Sequence, residues 1–316
     1  MGSNPLITFT VPPGTAPARA DKVLAHYHPN LSRSLIQRAF ELGQVQLKGT
    51  MPIQKRHKVS MGDTLTFTIP QAETKSLEPV PIPLDVLYED DHLIAINKVR
   101  GQVVHPGNGT GPDTLVHALL HHCRGKLSTQ SGDDTRPGVV HRLDKETSGV
   151  ILFAKTDQAY VGLNQMFANR TIYKEYLALV TGVPELASGT IEQPIARHPK
   201  VRTRMCVAPS GRSAHTDWRV EASWGQKIAL LHCYPHTGRT HQIRVHLSYL
   251  GHPILGDATY GYRPIQKVSI EPKGVQLHAY RLKLQHPITE KPLCLGADLP
   301  KDFSLLLDQL RKQFER

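Results

Sequence analysis

The sequence predicts an α+β protein built from two domains. Segments with strand-like alternation outnumber those with helical periodicity, and many successive strands are joined through turns typical of hairpins. Residues 71–84 contain three prolines and little periodicity, which indicates a semi-extended linker. We therefore expect an N-terminal extension over 1–16, a small domain over 17–70, and a large domain over 85–316. The large domain should carry a mixed, largely antiparallel sheet with flanking helices.

The small domain is predicted to pair two helices with a few short strands. Ser32 is a suitable N-cap for the second helix, and Gly43 lies just beyond its end, where a left-handed residue is favoured. Lys48 and Gly49 form a turn between two alternating segments. The predicted elements are helices over 20–27 and 33–42 and strands over 44–47 and 64–69.

The large domain shows strand patterns separated by a few helical ones. Asp157 is expected to cap a helix that runs to about Ala168, and Thr240 to cap a short helix. Residues 301–316 carry an apolar stripe at helical spacing. The predicted strands are 93–96, 171–182, 189–192, 213–222, 227–234 and 275–284.

Charge is the unusual feature of the composition. Lys and Arg total 38 against 27 Asp and Glu, which gives a net charge of +11. Such an excess favours a polyanionic partner, either nucleic acid or an anionic membrane surface. The membrane alternative is weaker, because no apolar run approaches the ~20 residues that span a bilayer. The first residues also lack the regions of a signal peptide, so we expect a cytoplasmic protein.

Cysteine and histidine spacing gives no support for a bound metal. The four cysteines form no CxxC pair, which favours a reducing compartment and argues against a thiolate zinc site. His232 and His236 are four residues apart, but Pro235 between them disfavours a helical site. We therefore expect no metal.

One short stretch holds the clearest candidate for chemistry. In GVVHRLDKETSGVILFAK, residues 138–155, Asp144 lies between Arg142 and Lys145, just before an apolar run. Neighbouring cations should hold this carboxylate ionised. That suits a nucleophile or a base, and it equally suits a structural salt bridge. The local sequence leaves both interpretations open.

Two further stretches add candidate residues. Alternation in IYKEYLAL places Lys174 and Tyr176 on one strand face, so the Tyr176 hydroxyl could lie beside a cleft or the ring could simply be half-buried. In HTGRTHQIRVHLSYLGHPILGD, Arg244 lies at the edge of a buried helical stripe. It could pair with a carboxylate or extend along the surface toward solvent.

Together these stretches resemble the RluA-type family of RNA pseudouridine synthases. The order is HRLDxxTSG over 141–149, KxYxAxVxG over 174–182 and GRTHQIRVH over 238–246, followed by LHAYRLKLQHP over 277–287. The resemblance covers roughly 85–300. One departure is Val99 in NKVRG, where the family usually has proline.

The family resemblance implies roles for individual residues. Asp144 would be the catalytic aspartate, Arg244 would pair with it, and Tyr176 would stack on the flipped base. Arg142 would help to occupy the space that the base vacates. The reaction would isomerise uridine without a cofactor. Residues implied in RNA contact within the same motifs are His141, Lys174, Arg239, His241 and Gln242.

The small domain resembles a second family, the S4 RNA-binding domain, over about 50 residues. The match runs from RADKVLAHYHPNLSRSLIQRAFELGQVQLKG to VSMGDTLTF, with Lys48-Gly49 where such domains usually have Asn-Gly. Its cations could instead form an ordinary solvated surface. Under the resemblance, Arg33, Arg38 and Lys48 would contact RNA.

The combined architecture most resembles that of S4-bearing, RluD-like synthases, which act on large-subunit ribosomal RNA. We therefore expect a monomer that modifies such RNA. Three alternatives remain: a transfer RNA substrate, a non-catalytic RNA-binding or ribosome-assembly factor, and a glycosidase-like enzyme. The last needs a second acid in a comparable motif, and none is present.

Overall fold

The computed structural model of the 316-residue chain forms two compact units, residues 1–75 and 76–316. Within these, the structure describes residues 6–28, 31, 33–49, 51–68, 77–107, 110–131, 133–201, 203–265, 268 and 271–314.

The first unit packs two helices and several short strands around one core. The helix α2 ends in a turn at Gly43, whose φ of +67° favours glycine, and Gln44 N–H donates to the Ala39 carbonyl. The Ser32 cap and Ile69 lie outside the described residues. Its elements are β1 Leu6–Thr10, β2 Ala18–Arg19, α1 Ala20–Tyr27, α2 Arg33–Glu41, β3 Val45–Leu47, β4 Met51–Pro52, β5 Lys58–Val59 and β6 Thr64–Thr68.

The N-terminal segment differs from the predicted extension over 1–16. Leu6–Thr10 forms β1 and pairs antiparallel with β6 along its whole length. Val11, which follows it, is buried in the core of the first unit. The sequence LITFT alternates, as an edge strand does. Five residues are too few for such alternation alone to predict a strand.

The second unit is organised around one large sheet. The strands of the second unit are β7 Val86–Glu89, β8 Leu93–Lys98, β9 Ser148–Ala154, β10 Tyr173–Thr181, β11 Ser188–Ile191, β12 Ile195–Arg197, β13 Met205–Val207, β14 Thr216–Trp224, β15 Ile228–Pro235, β16 Leu277–Gln285 and β17 Pro292–Gly296. Among the described residues the large sheet has nine of these strands, in the order β11-β14-β15-β10-β16-β9-β8-β7, with β17 also paired to β16.

Strand pairing in this sheet is largely antiparallel, and the α+β prediction is confirmed. The strands β9 and β16 pair in parallel at the centre, where Ser148 lies opposite His278. Gly149 has a φ of +108°, and a Cβ there would lie 2.2 Å from the Ala279 carbonyl oxygen. Only glycine allows the two strands to approach so closely, which explains the TSG of the first motif.

Helices cover both faces of the sheet. They are α3 Leu115–His122, α4 Asp157–Ala168, α5 Gln242–Tyr249 and α6 Lys301–Phe314. The helices α3 and α4 pack on opposite faces of β8, since α3 contacts its even-numbered apolar residues and α4 its odd-numbered ones. The helices α5 and α6 likewise pack on opposite faces of β10. No helix within the described ranges is long and apolar enough to cross a membrane.

Two helix caps differ from the sequence prediction. The helix α4 is capped by Thr156, whose hydroxyl accepts from Ala159 N–H, whereas Asp157 accepts a hydrogen bond from the Ser128 hydroxyl. The helix α5 is preceded by His241 in a left-handed conformation, φ 58°, instead of being capped by Thr240. A non-glycine residue in that conformation is uncommon and is not visible in a propensity pattern.

The proline-rich segment does not lie free of the second unit. Leu77 and Leu84 pack against the cluster that contains α3, and Val80 N–H donates to the His117 carbonyl. The described part of the segment, from residue 77, lies in the second compact unit. These contacts explain why apolar residues alternate with the prolines.

Candidate active site

The three motif stretches meet at one cavity of about 530 Å³ in the second unit. Its wall includes residues from the loop before β9, the C-terminal part of α4, the start of β10, and the segment that connects β15 to α5. Asp144, Tyr176 and Arg244 all line this cavity, although they are far apart in sequence. Cavities of this size with convergent polar groups are typical ligand sites.

Asp144 lies in the loop before β9 and contacts two residues of the third motif. Its Oδ2 is 3.4 Å from Arg244 Nη1, and its Oδ1 is 4.0 Å from His241 Nε2. Its side chain is 15% exposed. A carboxylate with one long ionic contact and open space beside it remains available to a ligand.

Arg244 is held mainly by a residue that the sequence analysis did not identify. Its Nε and Nη2 donate to the two carboxylate oxygens of Asp257, at 2.7 and 3.0 Å. Both side chains are nearly fully buried. The guanidinium therefore forms its two parallel hydrogen bonds with Asp257, and only Nη1 donates to Asp144. Burial lowers the pKa of Arg244, but Asp257, and then Asp144, outweigh it and raise that pKa.

Tyr260 supports both Arg244 and His241. Its ring lies under the guanidinium, 4.9 Å from Cζ to the ring centroid. Its hydroxyl is 2.7 Å from His241 Nδ1 and also accepts from Met205 N–H. Burial lowers the pKa of His241, so the ring is neutral near pH 7, and its other nitrogen is directed toward Asp144.

Tyr176 forms part of the cavity wall from β10. Alternation along the strand is as predicted: Lys174 and Tyr176 line the cavity, whereas Glu175 pairs with His232 and Arg281 on the other face. Burial, followed by the charge of Asp144, raises the pKa of the Tyr176 hydroxyl. The phenol therefore stays protonated at neutral pH.

Lys98 is a further supporting residue that the sequence analysis missed. It is fully buried, and its Nζ donates to the carbonyls of Val99, Gln102 and Lys145 at 3.0–3.1 Å. Burial lowers the pKa of Lys98 to about 8. The three carbonyls complete its hydrogen bonding as an ammonium, and the bond to Lys145 fixes the turn next to Asp144. Val99, the departure from the family pattern, leaves its side chain exposed.

Two residues expected to contact RNA, His141 and Gln242, make hydrogen bonds within the cavity wall. His141 Nε2 accepts from Leu152 N–H at 2.9 Å, and its ring stacks on Phe167. Burial lowers the pKa of His141 to about 3, so it is neutral. Gln242 is buried and uses its full amide capacity, accepting from Thr237 and Arg239 and donating to residues 215 and 216. Gln242 therefore shapes the wall with its amide fully used, whereas His141, whose Nε2 accepts, carries its proton on Nδ1.

The remaining cations of the motifs lie at the cavity mouth. Arg142 is exposed, and Arg239 is half-buried with Nε donating to the Ser213 carbonyl. Lys174 Nζ lies 3.4 Å from the Thr237 carbonyl, and burial lowers the pKa of Lys174 to about 8. These three positive groups suit an anionic ligand.

The expected RNA contacts of the first unit belong to a separate compact body. Arg38 is half-buried on α2, and Lys48 is exposed at a turn with φ of 53°. The Arg33 side chain lies outside the described residues.

Comparison with known proteins shows the family to which the chain is related. Residues 92–249 match the family described as RNA pseudouridylate synthase. An uncharacterized RNA pseudouridine synthase, YlyB, of Bacillus subtilis is 40% identical, covering 93% of this chain and 94% of its own length. Ribosomal large subunit pseudouridine synthase D of Vibrio parahaemolyticus is 39% identical, covering 100% and 98%.

A solved structure shows the same likeness. Human RNA pseudouridylate synthase domain containing 4 superposes with a TM-score of 0.56 and 30% identity, over 72% of this chain and 92% of its own. The matched family segment contains Asp144, Tyr176 and Arg244. The chain belongs to the RNA pseudouridylate synthase family.

Proposed function

We propose that this pseudouridine synthase isomerises specific uridines of large-subunit ribosomal RNA, with Asp144 as its catalytic carboxylate. The observation that carries the assignment is the meeting of Asp144, Tyr176 and Arg244 in one cavity, with Asp144 in contact with Arg244. The substrate class is supported by relatives named ribosomal large subunit pseudouridine synthase D, at 39–41% identity.

We assign a task to each wall of the cavity. A uridine inside structured RNA must be flipped out, which costs a few kcal/mol of unstacking. Arg142, Lys174 and Arg239 at the mouth offset that cost through phosphate contacts, and the Tyr176 ring offers a stacking surface for the base. Arg244 Nη1 then orients Asp144 beside the flipped nucleotide.

The overall reaction is an intramolecular transfer. The N1–C1′ bond breaks, the base rotates, and C5 bonds to C1′, so the atoms balance without a redox partner or a group donor. The proton leaving C5 is finally exchanged to N1 or to solvent. The protonated Tyr176 hydroxyl and the neutral His241 ring both line the cavity and can relay it.

We also propose that the protein acts as a monomer, and a ribosomal substrate supports a cytoplasmic location. The test is to map pseudouridine across ribosomal and transfer RNA in cells with the gene, without it, and with Asp144→Asn. We expect large-subunit sites to disappear in the last two strains alike. Loss confined to transfer RNA would overturn the substrate, and unchanged maps would overturn the activity.

We further propose that the first unit is an S4-type RNA-binding domain. Its support is the helix pair α1–α2 together with exposed cations at Lys22, Lys48, Arg56 and Lys58. Removing residues 1–75 should leave a folded enzyme, because the second unit has its own apolar clusters. RNA affinity should fall, with a shallower dependence on salt.

The matched control keeps the full chain and changes only charge, with Lys22, Arg56 and Lys58 replaced by Gln. Both proteins should retain the single-turnover rate at saturating enzyme. An unchanged salt slope in the charge variant would contradict RNA binding by this unit, and aggregation of the shortened chain would contradict the domain division.

A further inference from the structure

A cluster of two histidines and one aspartate lies beside the cavity mouth, where β14 begins and β15 ends. Thr216 pairs with Pro235 in the register of these antiparallel strands. His215 and His236 are therefore opposite each other just beyond the ladder, and His236 N–H donates to the His215 carbonyl. Asp217, two residues after His215, projects from the same face.

The three side chains converge on a small volume. His215 Nε2 lies 3.0 Å from Asp217 Oδ1, and His236 Nε2 lies 2.6 Å from Asp217 Oδ2. One ligand atom from each residue can be chosen so that all three lie within 4.8 Å of one another. Zinc–nitrogen and zinc–oxygen bonds of about 2.0–2.2 Å place tetrahedral ligands roughly 3.3–3.6 Å apart, so small adjustments would admit an ion.

Neighbouring residues are arranged as supports for metal ligands. The Thr190 hydroxyl, on the adjacent strand β11, donates to Asp217 Oδ1 at 2.7 Å. Glu192 Oε1 lies 3.4 Å from His215 Nδ1. Metal-bound histidines characteristically donate their second N–H to a carboxylate in this way. A neutral His215 has only one N–H, so it cannot donate to both Asp217 and Glu192. With an ion bound to Nε2, the single N–H of the ring lies on Nδ1 and donates to Glu192.

We propose that His215, Asp217 and His236 form a binding site for a divalent transition-metal ion of the zinc class, oriented by Glu192 and Thr190. Imidazole nitrogen with one carboxylate oxygen is a donor set suited to Zn²⁺ and less suited to Mg²⁺ or Ca²⁺. The three side chains are 31–45% exposed, so solvent can complete the coordination. His236 also lines the active-site cavity, and the ion is assigned no step of the isomerisation.

Metal binding to the full-length protein tests this directly, after removal of any histidine tag and dialysis against chelator. Zn²⁺ calorimetry should give one saturable ion per chain, and Co²⁺ should give the visible absorption of a low-symmetry nitrogen–oxygen site. His236→Ala and Asp217→Asn should each abolish both signals. Glu192→Gln should weaken binding by about tenfold, as expected for an orienting partner.

The matched control is His121→Ala, which removes an exposed histidine at the end of α3 and should bind as the wild type does. Thermal unfolding of each variant without metal identifies any that fails to fold, and two independent ligand variants guard against that case. Absence of saturable binding to the wild type would overturn the proposal. Equal binding by the wild type and both ligand variants would also overturn it.

Discussion

Two turns of the second unit hold a carboxylate against the Arg244 guanidinium, and they do so differently. Asp257 is 1% exposed and receives two short hydrogen bonds. Asp144 is 15% exposed, accepts one long hydrogen bond from Arg244 at 3.4 Å, and faces the cavity. The difference separates two tasks: Asp257 anchors the arginine, and Asp144 is left with an accessible oxygen for a ligand.

The comparison also explains why Arg244 can serve both acids. A buried guanidinium is stable only where it is paired and hydrogen-bonded, and Asp257 supplies that pairing. The third donor group, Nη1, is then held in a fixed direction and remains available to donate to Asp144. Preorganised charge of this kind acts without rearrangement during the reaction.

The largest expected effect on stability comes from Asp257→Asn. It leaves a buried guanidinium without its ion pair, so the free energy of unfolding should fall by about 3 kcal/mol or more. Chemical denaturation measures it. The control is Asp308→Asn, which breaks an exposed pair with Arg311 and should cost less than about 1 kcal/mol. Equal small losses in both would contradict an anchoring role.

Arg244→Lys is expected to have the next largest effect. Lysine keeps the charge but cannot form the two parallel bonds to Asp257, so Asp144 loses a correctly oriented partner. The single-turnover rate at saturating enzyme should drop about tenfold or more, equivalent to ~1.4 kcal/mol, with RNA affinity nearly unchanged. A wild-type rate with weakened binding would show that Arg244 is a phosphate anchor. Arg311→Lys is the matched control.

Tyr260→Phe should have the smallest effect. The ring stays under Arg244, but the hydroxyl contacts with His241 and Met205 are lost. We expect destabilisation of about 0.5–1.5 kcal/mol and a rate loss smaller than for Arg244→Lys. Tyr88→Phe, which removes a hydroxyl bonded to Asp90, provides the control. A rate loss equal to that of Arg244→Lys would mean that His241 orientation matters as much as the arginine.

The sequence analysis identified Asp144 but not Asp257, and other features of the structure divide in the same way. Local periodicity predicted α1, α2, β10 and α4 within a residue or two at their ends. The motifs predicted that Asp144, Tyr176 and Arg244 form one site, and the structure brings all three to one cavity. Short-range patterns and a family signature suffice for such features.

Features set by tertiary contacts were not predictable from local patterns. Asp257 pairs with a residue 13 positions earlier through a turn, and nothing in GD distinguishes an anchor from a surface acid. From the sequence alone, Lys98 would be interpreted as a surface lysine, because the three carbonyls that accept from its Nζ are brought together only by the fold. The juxtaposition of His215 and His236 depends on strand register, which the sequence spacing of 21 residues does not reveal.

The most direct test compares Asp144→Asn with Asp257→Asn in one experiment. Each protein is measured for single-turnover isomerisation, RNA affinity and free energy of unfolding. We expect Asp144→Asn to lose detectable isomerisation, to bind RNA nearly normally and to lose less than about 1 kcal/mol of stability. Asp257→Asn should instead show the large loss of stability. Turnover above a few per cent of wild type in Asp144→Asn would contradict the catalytic assignment.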